Sequence, residues 1–219
     1  EISACLVGSE MCIRDRTKAE PIYFDIVAKS LDKCTFKLAI NGTEAGVINK
    51  DTSYSSFFDG KSKVLSLTAT DDEGNALKKG TDFDYAVYRD PECTEPADDK
   101  EDTTGVQELI HAATYYLKIT GLDGSNYAGG ERVYTYMIKP KNISPTDIVI
   151  TDQTYTGSAV VPDPANITVY YTEGSKNVTL DSQYVEVVSC EDNIEIGTNN
   201  AKAYIRLTGD YALAEGGVN

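Results

Sequence analysis

Tyr204-Ile205-Arg206-Leu207-Thr208-Gly209 decides the fold of this chain, because Tyr116-Leu117-Lys118-Ile119-Thr120-Gly121 repeats it almost residue for residue. Further upstream, Thr35-Phe36-Lys37-Leu38-Ala39-Ile40-Asn41-Gly42 aligns with the stretch from Thr114 to Gly121, so the phrase occurs three times. Each copy alternates. Phe36, Leu38 and Ile40, then Tyr115, Leu117 and Ile119, then Ala203, Ile205 and Leu207 form the apolar sets, with mostly polar or charged residues between them. A period of two predicts a strand with one face on a core and the other toward solvent. The glycine closing each phrase accepts turn conformations that other residues resist.

Landmarks around the phrase repeat as well. Tyr155-Thr156-Gly157-Ser158 answers Phe58-Asp59-Gly60-Lys61, while Val178 answers Leu77 and Tyr184 answers Phe83, both at a spacing of 101. The phrase itself returns at a spacing of 88, so the earlier unit carries 13 extra residues. They fall in 89–104, which is dense in Asp, Glu, Pro and Thr and reads as a solvated, removable loop. Further strands are predicted at 21–28, 34–40, 46–48, 64–70, 83–88 and 132–138, and 106–113 fits either a helical turn or a strand. The chain reaches Asn219 before a counterpart of 132–138 appears, so the last unit is expected to be cut short from a longer array. The expected division is 1–16 outside the fold, 17–50 the remnant of a preceding β repeat, 54–141 a repeat with the acidic insertion, and 142–219 a second repeat.

The 219 residues are long enough for two small cores. A formal charge of -15 and a pI near 4.4 oppose binding to a phosphate backbone, and nucleic acid is excluded as a partner. Mean hydropathy is -0.33, and the apolar runs fall far short of the roughly 20 residues needed to cross a bilayer as a helix. Residues Ala4 to Arg16 resemble translated sequencing adaptor, and as a signal peptide their apolar run is too short and is broken by Gly8, Ser9 and Glu10. Setting Cys5 and Cys12 aside leaves Cys34, Cys93 and Cys190, one in each repeat-like segment. That spacing implies neither a zinc site nor a disulfide framework and leaves open whether two of the three pair.

With the landmarks in place, the chain resembles a repeat of large surface proteins from gut Firmicutes and their relatives. That repeat reads Tyr-x-Gly-x-x-apolar-x-Pro, a strand, a Gly hairpin, an aromatic strand, then Gly-Thr-x-x-apolar-x-apolar-x-Gly-x-Asn-Tyr. Tyr155-Thr156-Gly157, Pro162, Tyr184, Gly197-Thr198, the stretch from Tyr204 to Gly209, and Asp210-Tyr211 stand in those places, and Lys139-Pro140-Lys141-Asn142-Ile143-Ser144 resembles the spacer between such repeats. The unit 142–219 matches well, 54–141 matches with an insertion and without the proline, and 17–50 matches in one strand. The resemblance implies tandem immunoglobulin-like β-sandwiches, exported or at the cell surface, used as a stalk or adhesive module. It carries over no catalytic residues.

Candidate chemistry is sparse. His111 is the only histidine, which removes the Ser-His-Asp and two-His metal arrangements and leaves a partly exposed loop residue. Paired carboxylates abound, but glycosidase chemistry needs two placed across a cleft. The acidic clusters at 71–73 and 98–102 are candidates for calcium, although neither has the spaced oxygen ligands of a twelve-residue calcium loop; they read as surface charge. Sequons at Asn41, Asn142, Asn166 and Asn177 would be idle in a bacterial protein. Tyr116 and Tyr204 are predicted to point outward in equivalent positions beside Lys118 and Arg206. They are candidates either for stacking on a sugar or for covering their own sheet. The expected function is a non-enzymatic spacer or adhesion module without a cofactor, with neighbouring repeats, glycans or surface proteins as partners. The alternative is a carbohydrate-binding accessory module of a secreted glycan-degrading enzyme.

Overall fold

A computed structural model of the protein describes residues 23–49, 53–100, 105–127, 130–198 and 200–214; the expectation for 1–16 lies outside them. The regular structure is β, with 3-10 turns at Leu31–Lys33, Pro164–Asn166 and Ser182–Tyr184. The strands are β1 Cys34–Ile40, β2 Thr43–Ile48, β3 Tyr54–Phe57, β4 Leu65–Asp71, β5 Ala76–Leu77, β6 Phe83–Tyr88, β7 Ala113–Gly121, β8 Glu131–Lys139, β9 Lys141–Ile143, β10 Pro145–Ile150, β11 Ile167–Glu173, β12 Lys176–Leu180, β13 Val185–Glu191, β14 Lys202–Leu207 and β15 Tyr211–Leu213.

The first eight strands make two four-stranded sheets, ordered β2-β1-β4-β5 and β3-β8-β7-β6. Alternation buries one face of each. Phe36, Leu38, Leu65, Leu67 and Ala69 of one sheet share a core with Phe83, Val87, Tyr115, Leu117, Ile119, Tyr134, Tyr136 and Ile138 of the other. Phe36 and Phe83 meet edge to face across it at 5.5 Å, a favoured geometry for aromatic quadrupoles. The sequence reading set 17–50 apart from 54–141. In the fold, β1 pairs antiparallel along all of β4, from Cys34 opposite Asp71 to Ile40 opposite Leu65. β5 lies along one edge of β4, and the β1–β2 hairpin supplies the strands on the other, so 34–48 belongs to the same sheet. Asn41 (φ 50) and Gly42 (φ 77) turn that hairpin, the pair of positive φ values that a two-residue loop demands.

A second core lies downstream, built from Ile143, Ile167, Val169, Tyr171, Leu180, Val185 and Leu207. Its strands form a β10-β11-β12 sheet, a β13-β14 pair and a parallel β9-β15 pair. The internal repeat is visible in the registers. Ala69 opposite Leu77 recurs, across a hairpin one residue shorter, as Tyr171 opposite Val178, and Tyr88 opposite Tyr116 recurs as Ser189 opposite Tyr204 beyond an irregularity between Val187 and Ser189. The edge of β4 is covered by β1 and the edge of β11 by β10, each supplied from the segment just upstream. One difference follows from strand supply. β7 lies between β6 and β8, but β14 pairs only with β13 among the described residues.

Two expectations need correction. Over its described part, 23–28, the predicted strand at 21–28 is not paired, and its large side chains are exposed. The solvated loop at 89–104 is tied into the core over its described part. Ala97 is wholly buried, its N–H donates to the Val87 carbonyl, and Tyr88 bridges to Pro96.

Candidate functional site

Tyr116 lies on β7 between Tyr88 of β6 and Thr135 of β8, half-buried by both neighbours. Its counterpart Tyr204 on β14 is 44% exposed, and its hydroxyl donates to Glu191 at 3.1 Å. The adjacent cations are engaged: Lys118 pairs with Glu131 at 2.8 Å, and Arg206 forms a forked pair with Glu186 at 2.7 and 2.9 Å. A sugar hydroxyl would have to displace a carboxylate from each. The two tyrosines occupy equivalent register positions on different sheets, so the structure does not bring them into one site.

The more elaborate polar arrangement is one that composition assigns to solvent. Asp99 has a fully buried side chain. One oxygen accepts from the Arg89 guanidinium and the other from the N–H groups of Ile110 (2.5 Å) and His111 (3.0 Å) and the hydroxyl of Tyr115 (3.1 Å). Burial works against its charge, yet the two backbone donors and Arg89 outweigh burial and hold the carboxyl below its ordinary range. Burial, reinforced by the Asp99 charge, pushes the Tyr115 hydroxyl well above its usual value. Gln107 completes the tie: its amide accepts from Val87 N–H at 2.7 Å and donates to the carbonyls of Val87 and Ala97, standing in for strand backbone at the edge of β6.

Beside this loop, the Nδ1 of His111 meets Asp210 at 2.8 Å, and the same carboxylate accepts the Ala112 N–H at 2.6 Å. The Asp210 carbonyl accepts the Lys141 N–H at 2.8 Å, and Phe58 packs edge-on against Tyr211 at 5.6 Å. A buried Asp210 thus clasps the first core to the second where only Pro140 separates β8 from β9. A histidine–carboxylate pair activates a nucleophile when a hydroxyl or thiol lies on the other ring nitrogen. Among the described residues His111 has no such neighbour, and its geometry is that of a clasp.

The two acidic clusters have internal uses. Asp71 accepts from the N–H groups of Glu73 and Asn75, the Asn75 amide, Lys29 and the Tyr127 hydroxyl. Burial opposes its charge, but Asn75, Lys29 and Glu73 outweigh that and hold it far below the usual carboxylate range. Asp98 accepts the N–H groups of Lys100 and Glu108. Cys34, Cys93 and Cys190 are free thiols, which answers the open question of their pairing. An open groove of about 530 Å³ lies between 150–155 and 190–203, with Tyr155, Asn193, Glu195, Thr198 and Asn200 among its lining. Sequence reasoning missed Asp99, Gln107 and Asp210. The only signal for Asp210 was its place in the Gly-x-Asn-Tyr motif, and nothing local marks the other two.

Comparison with protein-family models, with curated proteins and with solved structures finds no match for this chain.

Proposed function

We propose that this protein is a non-enzymatic structural or adhesive module of a bacterial cell-surface or secreted protein, built of tandem immunoglobulin-like β-sandwiches that act as a stalk or spacer. The observation that carries this reading is the join. Two β cores are joined in the chain by Pro140 between β8 and β9, and Asp210 is held by backbone and side chain of the 111–112 turn, an arrangement suited to transmitting orientation along an array. The polar clusters support it as well, since their acceptors are consumed by internal turns and strand ends.

The carbohydrate-binding alternative has one observation in its favour, the open groove with half-exposed Tyr155 at its rim. Affinity electrophoresis through gels cast with host and plant polysaccharides separates the two. A spacer migrates unretarded. Retardation that disappears on Tyr155→Ala would place glycan binding in the groove, and retardation lost only in the Tyr116→Ala, Tyr204→Ala pair would place it on the outer faces.

A further inference from the structure

Residues 23–28, Tyr-Phe-Asp-Ile-Val-Ala, lie in no strand, and their large side chains are bare: Tyr23 is 88% exposed, Phe24 82%, Ile26 90% and Val27 82%. A stretch this rich in β-branched and aromatic residues is a strand without a sheet. The repeat identifies which strand. At a constant spacing of 112, Phe24 answers Tyr136, Ile26 answers Ile138, Lys29 answers Lys141 and Leu31 answers Ile143. Two contacts verify the alignment. Leu31 and Ile143 are both buried, and the ion pair of Lys29 with Asp71 at the end of β4 recurs as that of Lys141 with Glu173 at the end of β11. The segment before Lys29 is therefore the counterpart of β8.

The second unit has the complementary edge, unpaired among the described residues. β7 is flanked by β8, but the corresponding edge of β14 pairs with no strand among the described residues. A groove of about 730 Å³ is lined by Ala203, Tyr204 and Ile205 of that strand with Ile148, Ile150 and Leu213, and Thr146 and Asp147 add polar atoms to its wall.

We propose that residues 23–28 of one copy add as an antiparallel strand to the β14 edge of a second copy. The occupant and its register both follow from β7 and β8. Tyr115 opposite Tyr136 and Tyr116 opposite Thr135 translate into Ala203 opposite Phe24 and Tyr204 opposite Tyr23, and the next pair is Lys202 opposite Asp25. A large ring meets the small Ala203, where Tyr115 fills the space in the first unit; two tyrosines pair on the outer face; and opposite charges face each other. Main-chain hydrogen bonds supply affinity and the inward Phe24 and Ile26 supply selection, the mode of strand addition to an exposed edge. Donor and acceptor sit at different places on the chain, so the contact is heterologous and links copies head to tail. This inference goes beyond the spacer reading and holds whether or not the module binds glycans.

Sedimentation velocity on the full chain over a wide concentration range tests it. The expected result is a concentration-dependent ladder of dimers and longer species. Phe24→Asp with Ile26→Asp, at positions already exposed and unpacked, should leave the circular dichroism spectrum unchanged and the chain monomeric. Lys202→Glu should weaken association about tenfold, and adding Asp25→Lys should restore it. A parent that stays monomeric throughout overturns the proposal, as does a ladder that survives the Phe24/Ile26 substitutions or a charge reversal that Asp25→Lys fails to rescue.

Discussion

Removing the carboxylate of Asp99 would leave Arg89 without its counter-ion and the N–H groups of Ile110 and His111 without their acceptor. Stranding such groups costs about 1 to 3 kcal/mol each, so Asp99→Ala should lower stability by roughly 3 kcal/mol in urea titrations. The same geometry fixes a pH dependence. Because the folded carboxyl titrates below its unfolded value, its contribution is fully present above about pH 4, the ordinary carboxylate value, and is lost as pH falls through the folded value. The stability gap between the parent and Asp99→Asn should therefore be widest near neutrality and close on acidification. A gap that widens toward low pH would contradict the assignment. This carboxylate was illegible in the sequence because 89–104 looks acidic and apolar-poor, and acceptor geometry leaves no trace in composition.

β7 carries the test at the level of elements. Leu117 and Ile119 are buried while Lys118 lies outward against Glu131, so alternation fixed the register of this strand correctly. Leu117→Ala should cost on the order of 2 to 5 kcal/mol, through lost burial and the cavity left behind, and Lys118→Ala well under 1 kcal/mol, the size of an exposed ion pair. Equal urea midpoints for the two would mean the register is slipped by one residue. β14 shows the limit of the same argument. Its alternation matches that of β7, but Ala203 and Ile205 are only half-buried because the second unit has no strand paired on that side among the described residues.

For the whole molecule, the decisive contact is the clasp at Asp210. Asp210→Ala removes the acceptor of the Ala112 N–H and the partner of His111, but leaves both apolar cores and the Lys141 bond to the 210 carbonyl in place. Hydrogen exchange should accelerate at Ala112 by at least about tenfold, and exchange at Leu117 and Val169 should not move. Acceleration at all three would mean that the two cores unfold as one unit.

The sequence by itself determined that the chain is all-β, where its repeating strands lie and which of their faces is apolar. These properties depend on the period-two alternation of side chains and on turn residues, both local in the chain. Only the tertiary structure decided that the 34–48 hairpin completes the sheet of β4, that Asp99 and Asp210 are interior, and that β14 pairs with β13 alone among the described residues. Each of these depends on which strand arrives beside another from a distant part of the chain. Strand edges are interchangeable in hydrogen-bonding chemistry, so the choice among them is made by packing across the core, which no local pattern records.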